Sequence, residues 1–327
     1  MCVVPLTVLR PPAPAVRSRC QSRTHHLGWD AMGSYSAENL SNTAIQRSVV
    51  LAGGAASGTA WMIGLVAELK RLGIDFGNAE LIVGTSGGAL AGAMLATGRD
   101  LDVLAVASRF PGGAEAPMPT NLTLMSESLA ILSGRVRDRT AARRRLGRHA
   151  KAERQASPAQ IDQIAALVGG DAWPDTTLRI VAVDAETGQR RVLDAASGVP
   201  MAQAVAASRA LPGRYPPVVI DGRHYLDGGL WSFTSADVAD AAGEVLVIDP
   251  LANGFPREQL QAELDDLGAE SVVHFSADQA AIDAFGTSLS VWDSAFAAGA
   301  RQATVLAGRL DPRVWTRPKQ AAQIATS

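Results

Sequence analysis

The segment Gly84-Thr85-Ser86-Gly87-Gly88 has the residue types and spacing of a site for covalent acyl chemistry. It matches the pattern G-x-S-x-G and lies between a short apolar run and a run of small residues. In a strand–turn–helix context this pattern holds a serine on a sharp turn with its hydroxyl exposed. The N-terminus of the following helix would favour a developing alkoxide. We therefore predict that Ser86 is a nucleophile, with Gly84 and Gly88 as the glycines of the turn.

A second glycine-rich turn covers residues 53–58. Acyl transfer needs backbone N–H groups that point at the oxyanion of the transition state. A turn without bulky side chains that leads into a helix can present such donors. The alternative is a tight strand-to-helix connection that binds no ligand.

A candidate base is found in a third segment, Asp227-Gly228-Gly229, which follows a strand-like run. A serine hydroxyl needs a base within hydrogen-bond reach to become nucleophilic. An aspartate before two glycines lies on a turn with little steric cover. On local sequence alone, however, an Asp-Gly hairpin turn is the better interpretation of Asp227 and Gly228.

The elements around these segments predict a parallel α/β sheet. Residues 48–52 and 81–83 form short apolar runs that end at glycine, and apolar residues at helical spacing follow the first run as far as Leu72. Small apolar residues over 89–97 predict a second helix. Strand, helix, strand, helix is typical of right-handed parallel crossovers. Because the carboxyl ends of parallel strands meet at one edge, the turn at 53–58 should face Ser86.

The rest of the chain extends this α/β pattern to a single domain. We expect a disordered N-terminal tail over 1–46, a hydrolase domain over 47–312 and a C-terminal tail over 313–327. Loop residues are expected over 110–120, and further strands and a closing helix over 178–183, 190–193, 244–249, 271–275 and 295–310.

Composition excludes several classes of function. The formal net charge of −2 gives no field that would favour nucleic acid, and no window holds 18 uninterrupted apolar residues. Both cysteines lie in the first twenty residues, so a cysteine nucleophile or thiolate metal site in the domain is excluded. No histidine–carboxylate spacing suggests a metal, and we expect no cofactor. A cytoplasmic protein is expected, and peripheral contact with a membrane surface is the alternative. For the arginine-containing residues 1–28, an organelle transit peptide is the alternative to a disordered tail.

Residues 135–154 carry nine basic side chains and two acidic ones. Such a run is most often a solvated face or a mobile insertion. The alternative is a surface that docks on anionic membrane, where each cation adds about 1 kcal/mol.

Together the three segments resemble the patatin-like phospholipase family. Gly53 precedes Ser86 by 33 residues, Ser86 precedes Asp227 by 141, and Ala207-Ser208-Arg209-Ala210-Leu211-Pro212 resembles a further family segment. The resemblance implies a three-layer α/β/α fold with a mostly parallel central sheet and a Ser86–Asp227 dyad without histidine. It also implies an oxyanion hole at Gly53, Gly54 and Ala55, with Gly228 and Gly229 on the turn after the base. The expected substrate is a lipid or other acyl ester.

Two residues depart from the family pattern in the first glycine turn. Ala55 stands where the family has a third glycine, and Ser57 stands at a basic position. If the site at 55 requires a positive φ, alanine costs on the order of 1 kcal/mol there. These changes motivate the alternative of a patatin-fold protein that binds lipid or a partner and hydrolyses weakly.

Two further alternatives remain open from the sequence. A conventional triad would combine Ser86 with Asp184 or Asp249 and with His274, which ends a strand-like run. A nucleotide-binding module is the other, although Ala55 replaces a glycine of the dinucleotide fingerprint and no P-loop Gly-Lys-Ser/Thr is present.

Overall fold

The computed structural model describes residues 47–105, 121–152, 155–239, 243–252, 254–267, 271–285 and 291–316. All of these residues belong to one compact unit. The expected tail at 1–46 and the expected loop at 110–120 lie outside the described residues.

The centre of the fold is a mixed sheet, in which eight strands are described. Their order is β5-β6-β3-β2-β1-β7-β8, and β4 pairs with β3. β1 is parallel to β2 and β7, β2 to β3, and β7 to β8, whereas β4, β5 and β6 pair antiparallel. The predicted mostly parallel sheet is therefore confirmed. The strands are β1 Arg47–Leu51, β2 Leu81–Thr85, β3 Thr177–Asp184, β4 Arg190–Leu193, β5 Val218–Ile220, β6 Arg223–Asp227, β7 Glu244–Asp249 and β8 Ser271–Ser276.

Helices cover both faces of the sheet. They are α1 Ala55–Arg71, α2 Gly87–Ala96, α3 Leu122–Leu132, α4 Arg139–Ala150, α5 Pro158–Val168, α6 Met201–Ser208, α7 Arg257–Leu267, α8 Gln279–Ala284, α9 Val291–Ala307 and α10 Pro312–Trp315. Side chains of a strand alternate between its two faces. Val49 packs with α1, α2 and α9 on one face, whereas Val50 packs with Leu267 of α7 on the other. This arrangement is the predicted three-layer α/β/α fold.

The packing of α1 against α9 depends on one glycine from each helix. A Cβ on Gly64 would lie 2.1 Å from the carbonyl oxygen of Phe296, and a Cβ on Gly299 would lie 2.0 Å from that of Trp61. Only glycine lets the two backbones approach so closely. The contact brings the N-terminal part of α9, with Trp292, to the carboxyl edge of the sheet near α1.

The short helix α10 adds an aromatic side chain to the core. Trp315 is buried, and its ring lies edge-on to Phe76 with the ring centroids 5.2 Å apart. Packed structure thus continues through α10, a few residues beyond the domain boundary expected at 312.

The middle of the chain is more regular than the sequence indicates, because α3, α4 and α5 are not predicted by it. The basic run contains α4. Arg144, Arg145 and Arg148 are exposed, as a solvated face requires. Arg143 is different: it is buried with its guanidinium 4.5 Å from the ring centre of Trp231. Its burial and the neighbouring charge of Arg139 lower the pKa of Arg143 to about 10. Part of the basic run therefore belongs to the core.

Candidate active site

Ser86 lies at the turn between β2 and α2. Its backbone has φ 54° and ψ −117°, a conformation that L-residues rarely adopt. Close packing of the surrounding glycines maintains it: a Cβ on Gly84 would lie 2.5 Å from the Cα of Ala89. A Cβ on Gly88 would lie 2.0 Å from the carbonyl oxygen of Leu51. The serine hydroxyl is thereby presented at the carboxyl edge of the sheet and at the N-terminus of α2.

The strand register brings Asp227 beside Ser86. Thr85 of β2 pairs with Val181 of β3, and the next β3 residue, Ala182, pairs with Asp227 of β6. Ser86 Oγ donates a hydrogen bond to Asp227 Oδ2 over 2.7 Å. The structure therefore brings together the two residues that the sequence paired.

The turn after Asp227 fixes the orientation of its carboxylate. The N–H of Gly229 donates to Asp227 Oδ1 over 2.8 Å. A Cβ on Gly228 would lie 2.2 Å from the carbonyl oxygen of Val181, so that position also requires glycine. The residues 228–230 form a short 3-10 turn, and the Asp-Gly hairpin alternative is wrong.

Burial makes Asp227 a stronger base than an ordinary aspartate. The side chain is removed from water, and this burial raises its pKa from 3.8 to about 6. Hydrogen bonds from Ser86 and Gly229 and the positive charge of Arg209 act in the opposite direction. With a pKa of about 6 the carboxyl group is ionised at neutral pH and has a higher proton affinity than an exposed aspartate.

The first glycine turn precedes and begins α1, and it only partly matches the predicted oxyanion hole. The N–H of Gly53 donates to the carbonyl oxygen of Phe233 over 2.8 Å. The prediction that Gly53 belongs to the oxyanion hole is therefore wrong, because its N–H is already engaged. Gly54 precedes α1, and a Cβ there would lie 2.7 Å from the backbone of Gly58. Gly54 and Ala55 remain the candidate donors, at the positive end of the α1 dipole.

Ala55 has φ 48°, so the site does require a positive φ. The alanine carries the conformational cost that the sequence indicated for a glycine position.

Ser86 opens into a small cavity. The residues that line it come from the start of α1, the turn at Ser86, the segment after α6 and the start of α9. Its lining residues are Ala55, Ala56, Thr59, Ser86, Gly87, Arg209, Leu211, Arg214, Tyr215 and Trp292.

A family model described as patatin-like phospholipase matches residues 49–240, which is more than half of the chain. This chain belongs to the patatin-like phospholipase family. Family membership supports the lipid-hydrolase function that the sequence predicts. A comparison with curated protein sequences gave no match.

Solved structures with detectable similarity include VipD from Legionella pneumophila, at 13% identity and a TM-score of 0.40, with 81% of this chain and 67% of that one covered. Another is the type III effector protein ExoU, at 19% identity and a TM-score of 0.37, with 81% and 53% covered. This patatin-family chain thus spans about half the length of ExoU.

Ser208 is a site residue whose role the sequence did not reveal. Its Oγ accepts a hydrogen bond from the Ser86 N–H over 2.8 Å and donates one to the Val181 carbonyl over 2.6 Å. Ser208 therefore ties the Ser86 turn of this patatin-like domain to β3. The residues 207–212 pointed to the family, but no local pattern assigns Ser208 to the backbone of Ser86, which is 122 positions away.

The structure does not assemble the histidine triad. His274 Nε2 lies 3.8 Å from Asp249 Oδ2, and both residues line a second cavity next to Phe233 and Phe255. Asp184 accepts hydrogen bonds from the backbone of the following turn and from Arg223. Within the described ranges, no hydrogen bond joins Ser86 to a histidine.

Two features of the described residues concern metal binding and membrane insertion. They contain no group of three or more His, Cys, Asp or Glu side chains arranged to hold a metal ion. No described helix combines the length and apolar character needed to cross a bilayer.

Proposed function

We propose that this protein is a serine hydrolase that cleaves lipid acyl esters, with Ser86 as nucleophile and Asp227 as its base. The observation that carries the proposal is the 2.7 Å hydrogen bond from Ser86 Oγ to Asp227 Oδ2. The family match supports a lipid substrate. The raised pKa of Asp227 supports its role, because a base is most effective when its pKa lies near the working pH.

The proposed reaction has two steps. Asp227 takes the Ser86 proton while Oγ bonds to the ester carbonyl carbon, and the N–H groups of Gly54 and Ala55 stabilise the resulting oxyanion. Collapse of this intermediate breaks the ester bond, and the leaving alkoxide takes the proton from Asp227. Water then attacks the acyl-enzyme, with Asp227 again as the base, and releases the fatty acid and Ser86.

A second candidate is a lipid- or partner-binding protein with weak hydrolysis. The strained Ala55 at φ 48° and the absence of a basic side chain at Ser57 favour it. The two candidate functions differ in whether Ser86 catalyses substrate turnover.

A fluorophosphonate probe and a panel of esters test the proposal. The wild type should become labelled at Ser86 and hydrolyse short esters, long esters and phospholipids. Ser86→Ala should lose both, while Ser197→Ala, a serine on the turn 195–197 that does not line the cavity, should retain both. A well-folded wild type that is neither labelled nor active would favour the binding protein.

The variant Asp227→Asn tests the base. Removing a general base typically costs about 10²–10⁴-fold in rate. The variant should therefore fold but lose most of kcat. Near-normal kcat would mean that the base lies elsewhere, and His274→Ala would be the next variant to measure.

A further inference from the structure

The solvent side of α3 carries two leucines. Leu122 is 77% exposed and Leu129 is 51% exposed. The opposite side of the helix is buried in the domain through Leu124, Ser128 and Ile131. Leu122 and Leu129 are separated by two helical turns, so they lie on one face of α3. Large apolar side chains grouped at the surface in this way are typical of an interaction site.

The neighbouring helix α4 presents a basic surface. α4 contains five arginines and one histidine and has no acidic residue. Arg144, Arg145 and Arg148 are exposed. The two helices touch through Glu127 of α3, which lies 3.7 Å from Arg145 Nε and 3.1 Å from His149 Nδ1 and offsets part of this charge. Exposed leucines and exposed cations are therefore carried by two helices in direct contact.

α3 also packs against the segment that borders the Ser86 cavity. Ser128 Oγ donates a hydrogen bond to the Pro212 carbonyl over 3.0 Å. Leu211 and Arg214, on either side of this contact along the chain, line the cavity. A partner that binds the exposed face of α3 is thus separated from the cavity wall by a single helix.

We propose that the exposed faces of α3 and α4 dock on a lipid bilayer that contains anionic lipids. Charge complementarity selects this partner, because α4 concentrates positive charge although the whole chain has a net charge of −2. The leucines insert at the acyl boundary and the arginines bind the anionic head groups, as in other interfacial helices. Docking goes beyond the proposed function, since it needs no turnover at Ser86. The α3–α4 surface consists of Leu122, Leu129, Arg144, Arg145 and Arg148.

Co-sedimentation with vesicles measures the docking. The full chain with Ser86→Ala is used, so that no lipid is hydrolysed during the measurement. Vesicles of phosphatidylcholine and phosphatidylglycerol in equal parts should bind the protein at least about tenfold more tightly than vesicles of phosphatidylcholine alone. Added salt should weaken the difference, because it screens exposed charges. Equal binding to the two vesicles, or no binding to the anionic ones, would overturn the proposal.

A double variant of the leucines locates the apolar part of the surface. Leu122→Ser/Leu129→Ser should weaken binding to the anionic vesicles at least about tenfold, because two apolar side chains no longer leave water. Leu72→Ser/Val305→Ser is the matched control, since these side chains are 44% and 51% exposed on other helices. The control should bind like the parent. Equal binding by the leucine variant and the parent would place the contact elsewhere and overturn the proposal.

A double variant of the arginines locates the charged part. Arg144→Gln/Arg148→Gln should weaken binding to the anionic vesicles at least about tenfold and leave binding to phosphatidylcholine unchanged. Arg99→Gln/Arg301→Gln removes the same charge from two exposed arginines outside α4 and should have little effect. If both variants lost binding equally, net charge rather than the α3–α4 surface would be responsible, and the proposal would be overturned.

Two further measurements separate this proposal from its competitors. A dimer that forms with rising protein concentration and is abolished by Leu122→Ser/Leu129→Ser would assign the surface to a second copy of the chain and overturn docking on lipid. Hydrolysis of a short monomeric ester reports the proposed function independently. Variants of the α3–α4 surface with Ser86 intact should retain it, whereas its absence in the wild type would end the proposed function and leave vesicle binding unaffected.

Discussion

The turn before α1 and the turn before α2 lie at the same edge of the sheet and share an unusual backbone. Each places a residue other than glycine at positive φ, Ala55 at 48° and Ser86 at 54°. They differ in what maintains that conformation. The turn at Ser86 is enclosed by backbone atoms that leave no room for a Cβ at Gly84 or Gly88, whereas Ala55 is exposed.

This difference shows where the fold tolerates strain. At Ser86 the surrounding core determines the strained conformation, so the hydroxyl is held in one position against Asp227. At Ala55 the backbone strain lies at an exposed helix start, where substitution by glycine could relieve it. Four measurements test this comparison, given from the largest expected effect to the smallest.

Gly88→Ala should be the most damaging change, because its Cβ would lie 2.0 Å from the carbonyl oxygen of Leu51. Overpacking of this kind costs about 3 kcal/mol of unfolding free energy. Denaturant unfolding measures it, with Gly308→Ala on an exposed turn as the control. If both variants were equally stable, close packing would not be what holds the Ser86 turn.

Ser208→Ala should cost about 2 kcal/mol, because it leaves the Ser86 N–H and the Val181 carbonyl without their hydrogen-bond partner. The Ser86 turn should also become less well positioned, which lowers kcat. Thermal unfolding and ester hydrolysis measure the two effects. Wild-type values for both would show that Ser208 does not support the turn.

The pH dependence should follow Asp227, which must be ionised to act as a base. Since burial raises its pKa to about 6, kcat/KM should be constant above that pH and fall about tenfold for each unit below it. A neutral monomeric ester avoids titration of the substrate. A profile that falls only below pH 4 would mean that Asp227 has the pKa of an exposed aspartate.

Ala55→Gly should have the smallest effect and the opposite sign. Glycine relieves about 1–2 kcal/mol of left-handed strain but adds entropy to the unfolded chain, so a net gain of about 0.5 kcal/mol is expected. Denaturant unfolding of the variant, beside Ala56→Gly within α1, measures it. Destabilisation by both substitutions to the same extent would contradict the strain at Ala55.

Residues whose role depends on near neighbours could be predicted from the sequence. The alternation of apolar runs and glycines predicted β1, β2 and α2, and the pattern around Ser86 predicted its turn, because a turn depends on residues next to it. Asp227 could be paired with Ser86 only through the family resemblance, since its local sequence by itself favours a hairpin turn.

Only the tertiary structure decided which distant groups meet. The Phe233 carbonyl accepts a hydrogen bond from the N–H of Gly53, and Ser208 accepts one from the Ser86 backbone. Arg143 is buried with its guanidinium over the Trp231 ring, although it belongs to a charged run. The placement of Arg209 and Arg214 at the cavity likewise depends on the tertiary structure. Such contacts depend on how the strands pair and how the helices pack over the whole sheet. They therefore produce no local sequence pattern at the residues that make them.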